Sequence, residues 1–208
     1  SWSRRPWLRL RQFGVPFGET RLLLDTDAFS TEVRQYSPTG KVPALRDGDL
    51  AIWDSLAICE YANERWLGGR GWPTDLRARA MARTAAAEMH SGFAALRGQL
   101  PMNSRRRPDA YRWDADAQRD IDRVQALWNQ LRGEFGGGDG FLFGEFGIVD
   151  AMFAPVAIRF VGYGLAVDAV RRVYVQALFA LPAMQEWRAA GAAETESVPG
   201  TEKFRQPV

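Results

Sequence analysis

The first third of the chain alternates between helical and extended hydrophobic patterns. Apolar residues at helical spacing predict a helix over residues 3–13, which Gly14 ends. Residues 19–24 end in an apolar run and predict a buried strand. Two short apolar segments on either side of Asp47-Gly48 predict a β-hairpin, and an apolar-periodic helix follows over residues 54–66. This order predicts a small α/β domain.

Every pattern after a glycine-rich linker at residues 67–73 is helical. The predicted helices cover residues 75–100, 114–135, 148–163, 167–179 and 182–190, and an irregular tail follows from residue 194. The helix over 148–163 is almost wholly apolar, so we expect it at the centre of its domain, kinked at Pro155. The sequence therefore predicts two unlike domains, 1–67 and 75–208.

The α/β domain lacks one expected element. A strand before Ser3 would pair with residues 19–24 and complete a βαβ unit, but the printed sequence begins at Ser1. Either the domain is built without this strand or the strand is missing from the printed sequence. We favour the second interpretation.

Composition narrows the classes of partner and location. The 27 basic residues nearly balance the 25 acidic ones, which gives no case for a nucleic-acid partner. The single cysteine, Cys59, allows neither an intrachain disulfide nor a cysteine-based metal cluster, so we expect a reducing, cytoplasmic location and no metal. No apolar run approaches the ~18 residues that a membrane span needs.

The hairpin and the start of the next helix carry the candidate chemistry. Pro43 cannot donate a ladder hydrogen bond, so it suits a strand edge and leaves the Val42 backbone for another use. Asp54-Ser55 is a helix-capping pair, and a helix N-terminus attracts anions. Together these features predict a site for an extended peptide that carries a carboxylate.

These motifs resemble the cytosolic glutathione S-transferases. Residues 40–45 (Gly-Lys-Val-Pro-Ala-Leu) and 53–61 (Trp-Asp-Ser-Leu-Ala-Ile-Cys-Glu-Tyr) are similar to the family's glutathione-binding half. Residues 1–8 resemble the serine-containing segment of bacterial, zeta-like members, and residues 88–97 and 150–156 resemble helical-domain segments of the same group. The resemblance covers nearly the whole chain.

The resemblance implies a fold and a glutathione site. The fold is a thioredoxin-like N-terminal domain followed by an all-helical C-terminal domain. The resemblance also implies a cis peptide bond before Pro43 and a Val42 backbone that pairs with the cysteinyl part of glutathione as a strand would. Asp54 and Ser55 would hold the γ-glutamyl end. Lys41, one of the two lysines of the chain, is a further candidate glutathione-binding residue.

Catalysis by such a protein requires a thiolate. A free thiol has a pKa near 8.5, so a hydroxyl donor and a helix N-terminus would be needed to stabilise the anion at neutral pH. Ser1 and Ser3 are the candidate hydroxyls, with Arg5 a nearby positive charge. The family pattern leaves open whether the critical serine precedes Ser1. The absence of a cysteine in this segment argues against the glutaredoxin-like members.

The helical domain is implied to hold the electrophile, with His90, Arg97 and Trp113 as candidate substrate-binding residues. A lone histidine beside Met89 and Phe93 is usually a packed core residue, which is the alternative for His90, and a pocket role for Trp113 cannot be separated from core packing. Cys59 is interpreted as a small core residue. At Gly147 the family usually has Ser or Thr, which removes the side-chain half of a capping box with Asp150.

The function predicted from the resemblance is detoxifying transfer of glutathione to a small apolar electrophile by a homodimer. Two alternatives remain open: a non-catalytic glutathione-binding or interaction module on the same fold, and a glutathione-dependent isomerase or peroxidase. The identity of the electrophile cannot be inferred, because apolar pocket residues say little about the substrate.

Overall fold

The computed structural model describes residues 1–137 and 139–196. They form two compact units, the first ending at Gly71 and the second beginning at Trp72. The described helices and strands of the first unit are α1 (Arg4–Gln12), α2 (Asp27–Glu32), β1 (Ala44–Asp47), β2 (Leu50–Trp53) and α3 (Ser55–Arg65), with a 3₁₀ turn at Val33–Gln35. The strands form an antiparallel hairpin, and α1 packs against α3.

The strand predicted over residues 19–24 is wrong. The structure gives these residues no strand, and Leu23 and Leu24 are each 41% exposed. The sheet of the described chain contains only β1 and β2, so the segment has no neighbour with which to share ladder hydrogen bonds. An apolar run without a pairing partner gains little from the extended conformation.

The described regular elements of the second unit are helices, apart from isolated β-bridges within residues 141–145. Its helices are α4 (Leu76–Ser91), α5 (Ala94–Gln99), α6 (Ala115–Phe135), α7 (Ile148–Gly162), α8 (Ala169–Ala180) and α9 (Pro182–Ala193). The last three described residues, 194–196, are irregular, and the rest of the predicted tail lies outside the described residues. No helix in the described ranges combines the length and apolar composition that crossing a bilayer requires.

The single helix predicted over residues 75–100 is wrong, because it breaks at Gly92 and Phe93. Phe93 has a left-handed backbone with φ of 58°. A Cβ atom at Gly92 would lie 2.7 Å from the Glu88 carbonyl oxygen, so only glycine fits there. Helical periodicity continues across this corner, and the pattern therefore does not reveal it.

Trp128 on α6 forms the centre of the second unit's core. It is fully buried, and the rings of Phe153, Phe160 and Tyr174 lie 4.9–5.8 Å from it, centroid to centroid. Phe153 and Phe160 belong to α7, which is buried over nearly its whole length as its apolar sequence predicts. The buried helix α7 thus runs through the core of the second unit, and Trp128 of α6 packs against it.

Candidate functional site

The hairpin register brings the candidate binding residues to one end of the first unit. Ala44 pairs with Trp53, so residues 42–43 and residues 54–55 leave the ladder at the same end. The Val42–Pro43 peptide bond is cis, as predicted. Because β1 begins only at Ala44, the ladder does not use the Val42 backbone, and Val42 makes no other backbone hydrogen bond within the described chain.

The other end of the hairpin is hydrogen-bonded to α3. Asp47 accepts a hydrogen bond of 2.7 Å from the Tyr61 hydroxyl and one of 3.3 Å from Arg65 Nε. The Tyr61 bond is the main cause that lowers the pKa of Asp47. Gly48 follows with φ of 59°, a turn conformation that glycine adopts without steric cost. These contacts hold the turn of the hairpin against the C-terminal half of α3.

Asp54 caps α3 from a strained backbone conformation. Its Oδ1 accepts hydrogen bonds from Leu56 N at 2.8 Å and Ala57 N at 3.1 Å. Its φ of 78° lies in a region that residues with a side chain rarely adopt, at a typical cost of about 1–3 kcal/mol. The hairpin exit and the two cap bonds fix this conformation, which directs the first turn of α3.

Ser55, the first residue of α3, lies inside the unit beside Arg5 of α1. Arg5 Nη1 donates a hydrogen bond of 3.2 Å to Ser55 Oγ, and the two residues are only 2% and 1% exposed. The same guanidinium carbon lies 4.2 Å from the centroid of the Trp2 ring. The sequence identified Arg5 as a charge near the thiol and missed this bond. The available signal was the spacing of Arg5, Leu8 and Arg9, which places both arginines on the buried face of α1.

The two candidate hydroxyls for thiol activation lie at the N-terminal end of α1. Ser3 directly precedes the helix, and its side chain makes no cap hydrogen bond. Ser1 is exposed. The structure thus places both serines near the positive end of the α1 dipole, while the Arg5 guanidinium lies against Ser55.

Cys59 on α3 is a core residue with an unreactive environment. It is fully buried, and burial raises the pKa of its thiol to about 12, although the positive charges of Arg9 and Arg5 act in the opposite direction. Because the thiolate is the nucleophilic form, this cysteine is not suited to covalent chemistry at neutral pH. Its position agrees with the core role expected from the sequence.

The candidate substrate residues of the second unit fall into two places. Arg97 Nη1 donates to the carbonyl oxygens of His90 at 3.5 Å and Gly92 at 3.2 Å, which links α5 to the end of α4. Burial lowers the pKa of Arg97. Trp113 donates from Nε1 to Gln118 Oε1 at 2.8 Å and lines a different region.

That region is a cavity of about 460 Å³ between α6 and the segment that leads into α8. Trp113, Ile121 and Leu165 form part of its apolar wall, and Gln125 and Arg171 are hydrogen-bonded to each other at its edge. Of the residues the structure describes, the cavity lining includes neither His90 nor Arg97.

Comparison with known proteins identifies the family. The model of the glutathione S-transferase N-terminal domain matches residues 1–65, and that of the C-terminal domain matches residues 114–190. Two consecutive domains of one family thus account for most of the sequence. The chain belongs to the glutathione S-transferase family.

Individual relatives are similar in sequence to this chain over shorter stretches. The dichloromethane dehalogenase of Methylorubrum extorquens is 41% identical over 63 residues, which are 29% of this chain and 22% of that protein. Glutathione S-transferase Z1 of Arabidopsis thaliana is 40% identical over 71 residues, 34% of this chain and 32% of that protein. The matches thus span about a fifth to a third of the length of these curated relatives.

A solved structure extends the likeness to nearly the full chain. A glutathione transferase homologue from Burkholderia, solved with bound glutathione, superimposes with a TM-score of 0.69 at 22% identity. The superposition covers 92% of each chain. It confirms the predicted fold class, a thioredoxin-like N-terminal domain followed by an all-helical C-terminal domain. Within the described residues, no group of histidine, cysteine and acidic side chains could hold a metal ion.

Proposed function

We propose that this chain is a serine-type, zeta-like glutathione transferase that joins glutathione to a small apolar electrophile. The observation that carries the proposal is the convergence at one end of the hairpin. There the unused Val42 backbone lies next to the Asp54-Ser55 start of α3, and Arg5 donates to Ser55. An extended peptide that ends in a carboxylate fits this combination of a strand edge and a polar, positively charged end.

Glutathione would bind along this edge. Its cysteinyl backbone would pair with Val42 beside Pro43, its γ-glutamyl carboxylate would accept from Ser55, and its ammonium would face Asp54. Lys41 is exposed and precedes Val42 directly, so it adds positive charge where a negatively charged peptide would lie. Glutathione serves as a co-substrate, and the proposed reaction requires no metal.

The reaction is a nucleophilic substitution in which the glutathione sulfur attacks an electrophilic carbon of the second substrate. The thiol releases its proton to solvent, the thiolate forms a new S–C bond, and the leaving group departs with the electrons of the broken bond. Ser1 or Ser3, or a serine preceding them, would donate to the sulfur and favour the thiolate, with help from the N-terminus of α1. Cys59 would take no part in this reaction, because its side chain is buried.

The electrophile would bind in the helical unit near His90, Arg97 or Trp113. A homodimer in the cytoplasm is the assembly and location we infer from the family and from the single buried cysteine. One relative is named dichloromethane dehalogenase, and displacement of a halide by a thiolate is the same substitution step. An alkyl or aryl halide is therefore a suitable first substrate.

Two measurements on the full chain test the proposal. Isothermal titration with glutathione should show binding that Ser55→Ala weakens, and 1-chloro-2,4-dinitrobenzene with glutathione should give the absorbing conjugate.

Glutathione binding without turnover of any halide would favour the binding module. Turnover of a peroxide or a cis double bond in place of halides would favour the peroxidase or isomerase. An unchanged rate in Ser1→Ala and Ser3→Ala would remove both serines from the mechanism.

A further inference from the structure

The corner between α4 and α5 separates two residues proposed for the electrophile. His90 precedes the corner and Arg97 follows it, and Arg97 Nη1 donates to the carbonyl oxygens of His90 and Gly92. Phe93 starts α5 from a left-handed backbone, and its side chain makes no cap hydrogen bond. The placement of Arg97 relative to His90 therefore depends on what holds this corner.

An aspartate of α6 caps α5 from outside that helix. Asp120 Oδ2 accepts a hydrogen bond of 3.0 Å from the backbone N–H of Leu96, a fully buried residue in the first turn of α5. The N–H groups of a first helical turn have no acceptor within their own helix, so a side-chain oxygen placed there stabilises the turn. Asp120 thus supplies the cap that Phe93 does not provide.

An arginine of α6 holds the other side of the corner. Arg123 donates to both carboxylate oxygens of Glu88, near the end of α4, from Nε at 2.6 Å and from Nη2 at 2.8 Å. Residues three apart on a helix are neighbours on its surface, so Asp120 and Arg123 reach the two helices from adjacent positions. Together the Asp120–Leu96 and Arg123–Glu88 contacts form the α6 clamp.

The C-terminal end of α5 is held by other contacts. The Tyr111 hydroxyl donates to the carbonyl oxygen of Gln99 at 2.6 Å, and Arg159 Nε donates to that of Leu100 at 2.6 Å. Because these bonds anchor the C-terminal end, loss of the α6 clamp would free the first turn of α5 while the helix stays attached. Arg97 belongs to that turn.

We propose that Asp120 is a positioning residue of the electrophile site: it fixes the first turn of α5 and thereby the placement of Arg97 relative to His90. The Arg123–Glu88 pair is its counterpart on α4. The inference rests on the proposed function and adds to it a residue that lies outside the candidate substrate set. Asp120 acts through Arg97 and takes no part in the bond-making step.

The test is a double-mutant cycle between Asp120→Ala and Arg97→Lys, measured on the full chain by steady-state kinetics with 1-chloro-2,4-dinitrobenzene at saturating glutathione. Asp120→Asn is the conservative variant, because its amide keeps an acceptor oxygen for the Leu96 N–H. Asp122→Ala is the matched control, since Asp122 is exposed on the same helix and accepts from Gln118 within it. Titration calorimetry measures the affinity of each variant for glutathione.

Asp120→Ala should raise the KM for the halide about threefold to tenfold, because a displaced substrate-binding residue weakens the binding of that substrate. Asp120→Asn and Asp122→Ala should stay within about twofold of wild type, and no variant should change the affinity for glutathione. In the Arg97→Lys background, Asp120→Ala should change the KM by less than about twofold, since Arg97 no longer transmits its effect. Amide hydrogen exchange of residues 94–97 should quicken in Asp120→Ala and stay unchanged in the control.

Other outcomes overturn the inference in distinguishable ways. If wild type turns over no halide, the proposed function fails and the inference fails with it. If wild type is active but folded Asp120→Ala keeps the same KM, or its effect simply adds to that of Arg97→Lys, the function stands and the positioning role is disproved. An equal loss of glutathione affinity would show general damage to the fold and also disprove it.

A second variant keeps the test decisive if Asp120→Ala does not fold, as judged by circular dichroism. Arg123→Met then takes its place in the same cycle, because it removes the α4 side of the α6 clamp at a half-exposed side chain. The inference requires that Arg123→Met raise the KM for the halide while Arg97 is present and leave it unchanged in Arg97→Lys. Equal effects in both backgrounds would disprove it.

Discussion

Asp54 combines a structural and a proposed binding role at a single residue. Its carboxylate makes two hydrogen bonds that start α3, and its backbone is held at φ of 78°. The same carboxylate is proposed to face the ammonium of glutathione. The two roles can be separated experimentally, because the cap needs only an acceptor oxygen, whereas attraction of an ammonium benefits from a negative charge.

Replacing Asp54 by Asn should separate these roles. Asn keeps an acceptor oxygen and tolerates positive φ, so the free energy of unfolding in urea should change by less than about 1 kcal/mol. Glutathione affinity should fall about tenfold with the loss of the charge. Asp54→Ala, which also loses the cap, should cost about 1–2 kcal/mol of stability. Unchanged affinity in the Asn variant would exclude Asp54 as the ammonium group.

The buried thiol of Cys59 should make the stability of the protein depend on pH in the alkaline range. The pKa of its thiol is raised to about 12 by burial, so the folded state favours the neutral form and loses stability as pH rises from about 9 toward 12. Thermal unfolding midpoints over this alkaline range should fall less steeply in Cys59→Ala than in wild type. The native thiol should also resist a disulfide reagent at pH 8 and react after denaturation. Rapid reaction of the native protein would contradict its buried environment.

At the scale of elements, the sequence predicted what local pattern and turn chemistry determine. The hairpin, α3, α6 and α7 were all anticipated, because a two-residue period, a glycine turn or a sustained helical face specifies each. The strand predicted over residues 19–24 is wrong, because a strand needs a neighbouring strand to pair with and the described sheet contains only β1 and β2. The corner at Gly92 depends on a contact with a backbone oxygen, and the Arg5–Ser55 bond joins residues 50 positions apart. Neither leaves a periodic signal.

The start of α7 shows how one buried carboxylate can support an element. Asp150 is fully buried and accepts from Leu142 N at 3.2 Å and from Gly147 N at 2.8 Å. The second bond is the half of the capping box that survives at Gly147, as predicted. The other half is absent, because glycine has no side chain. Asp150 therefore ties the preceding loop to the central helix of the second unit.

Substitutions at this cap should move stability in opposite directions. Asp150→Ala leaves two backbone N–H groups without their acceptor and should cost about 2–4 kcal/mol in urea unfolding. Gly147→Ser restores the missing hydroxyl at an extended φ of −115° and should add about 0.5 kcal/mol. Gly147→Ala is the matched control, since it stiffens the unfolded chain without a cap. If Ser and Ala behave alike at this position, the side-chain half of the box contributes nothing.

At the scale of the whole molecule, the two units carry different parts of the proposed reaction. The residues assigned to glutathione, from Lys41 to Ser55, all lie in the first unit. Those assigned to the electrophile lie in the second, where Arg97 contacts His90 while Trp113 lines a separate cavity. The residues proposed for the electrophile thus lie in two separate regions, and steady-state kinetics can decide between them.

If the electrophile binds near Arg97, then His90→Ala and Arg97→Lys should raise its KM roughly threefold to tenfold, which corresponds to about 0.7–1.4 kcal/mol. The affinity for glutathione should stay unchanged, because no contact to that ligand is removed. Ser55→Ala should give the reverse pattern, and it serves as the matched control in the first unit. If instead Trp113→Ala alone raises the KM, the electrophile belongs to the cavity beside α6. A loss of glutathione affinity in the second-unit variants would contradict the division of roles between the units.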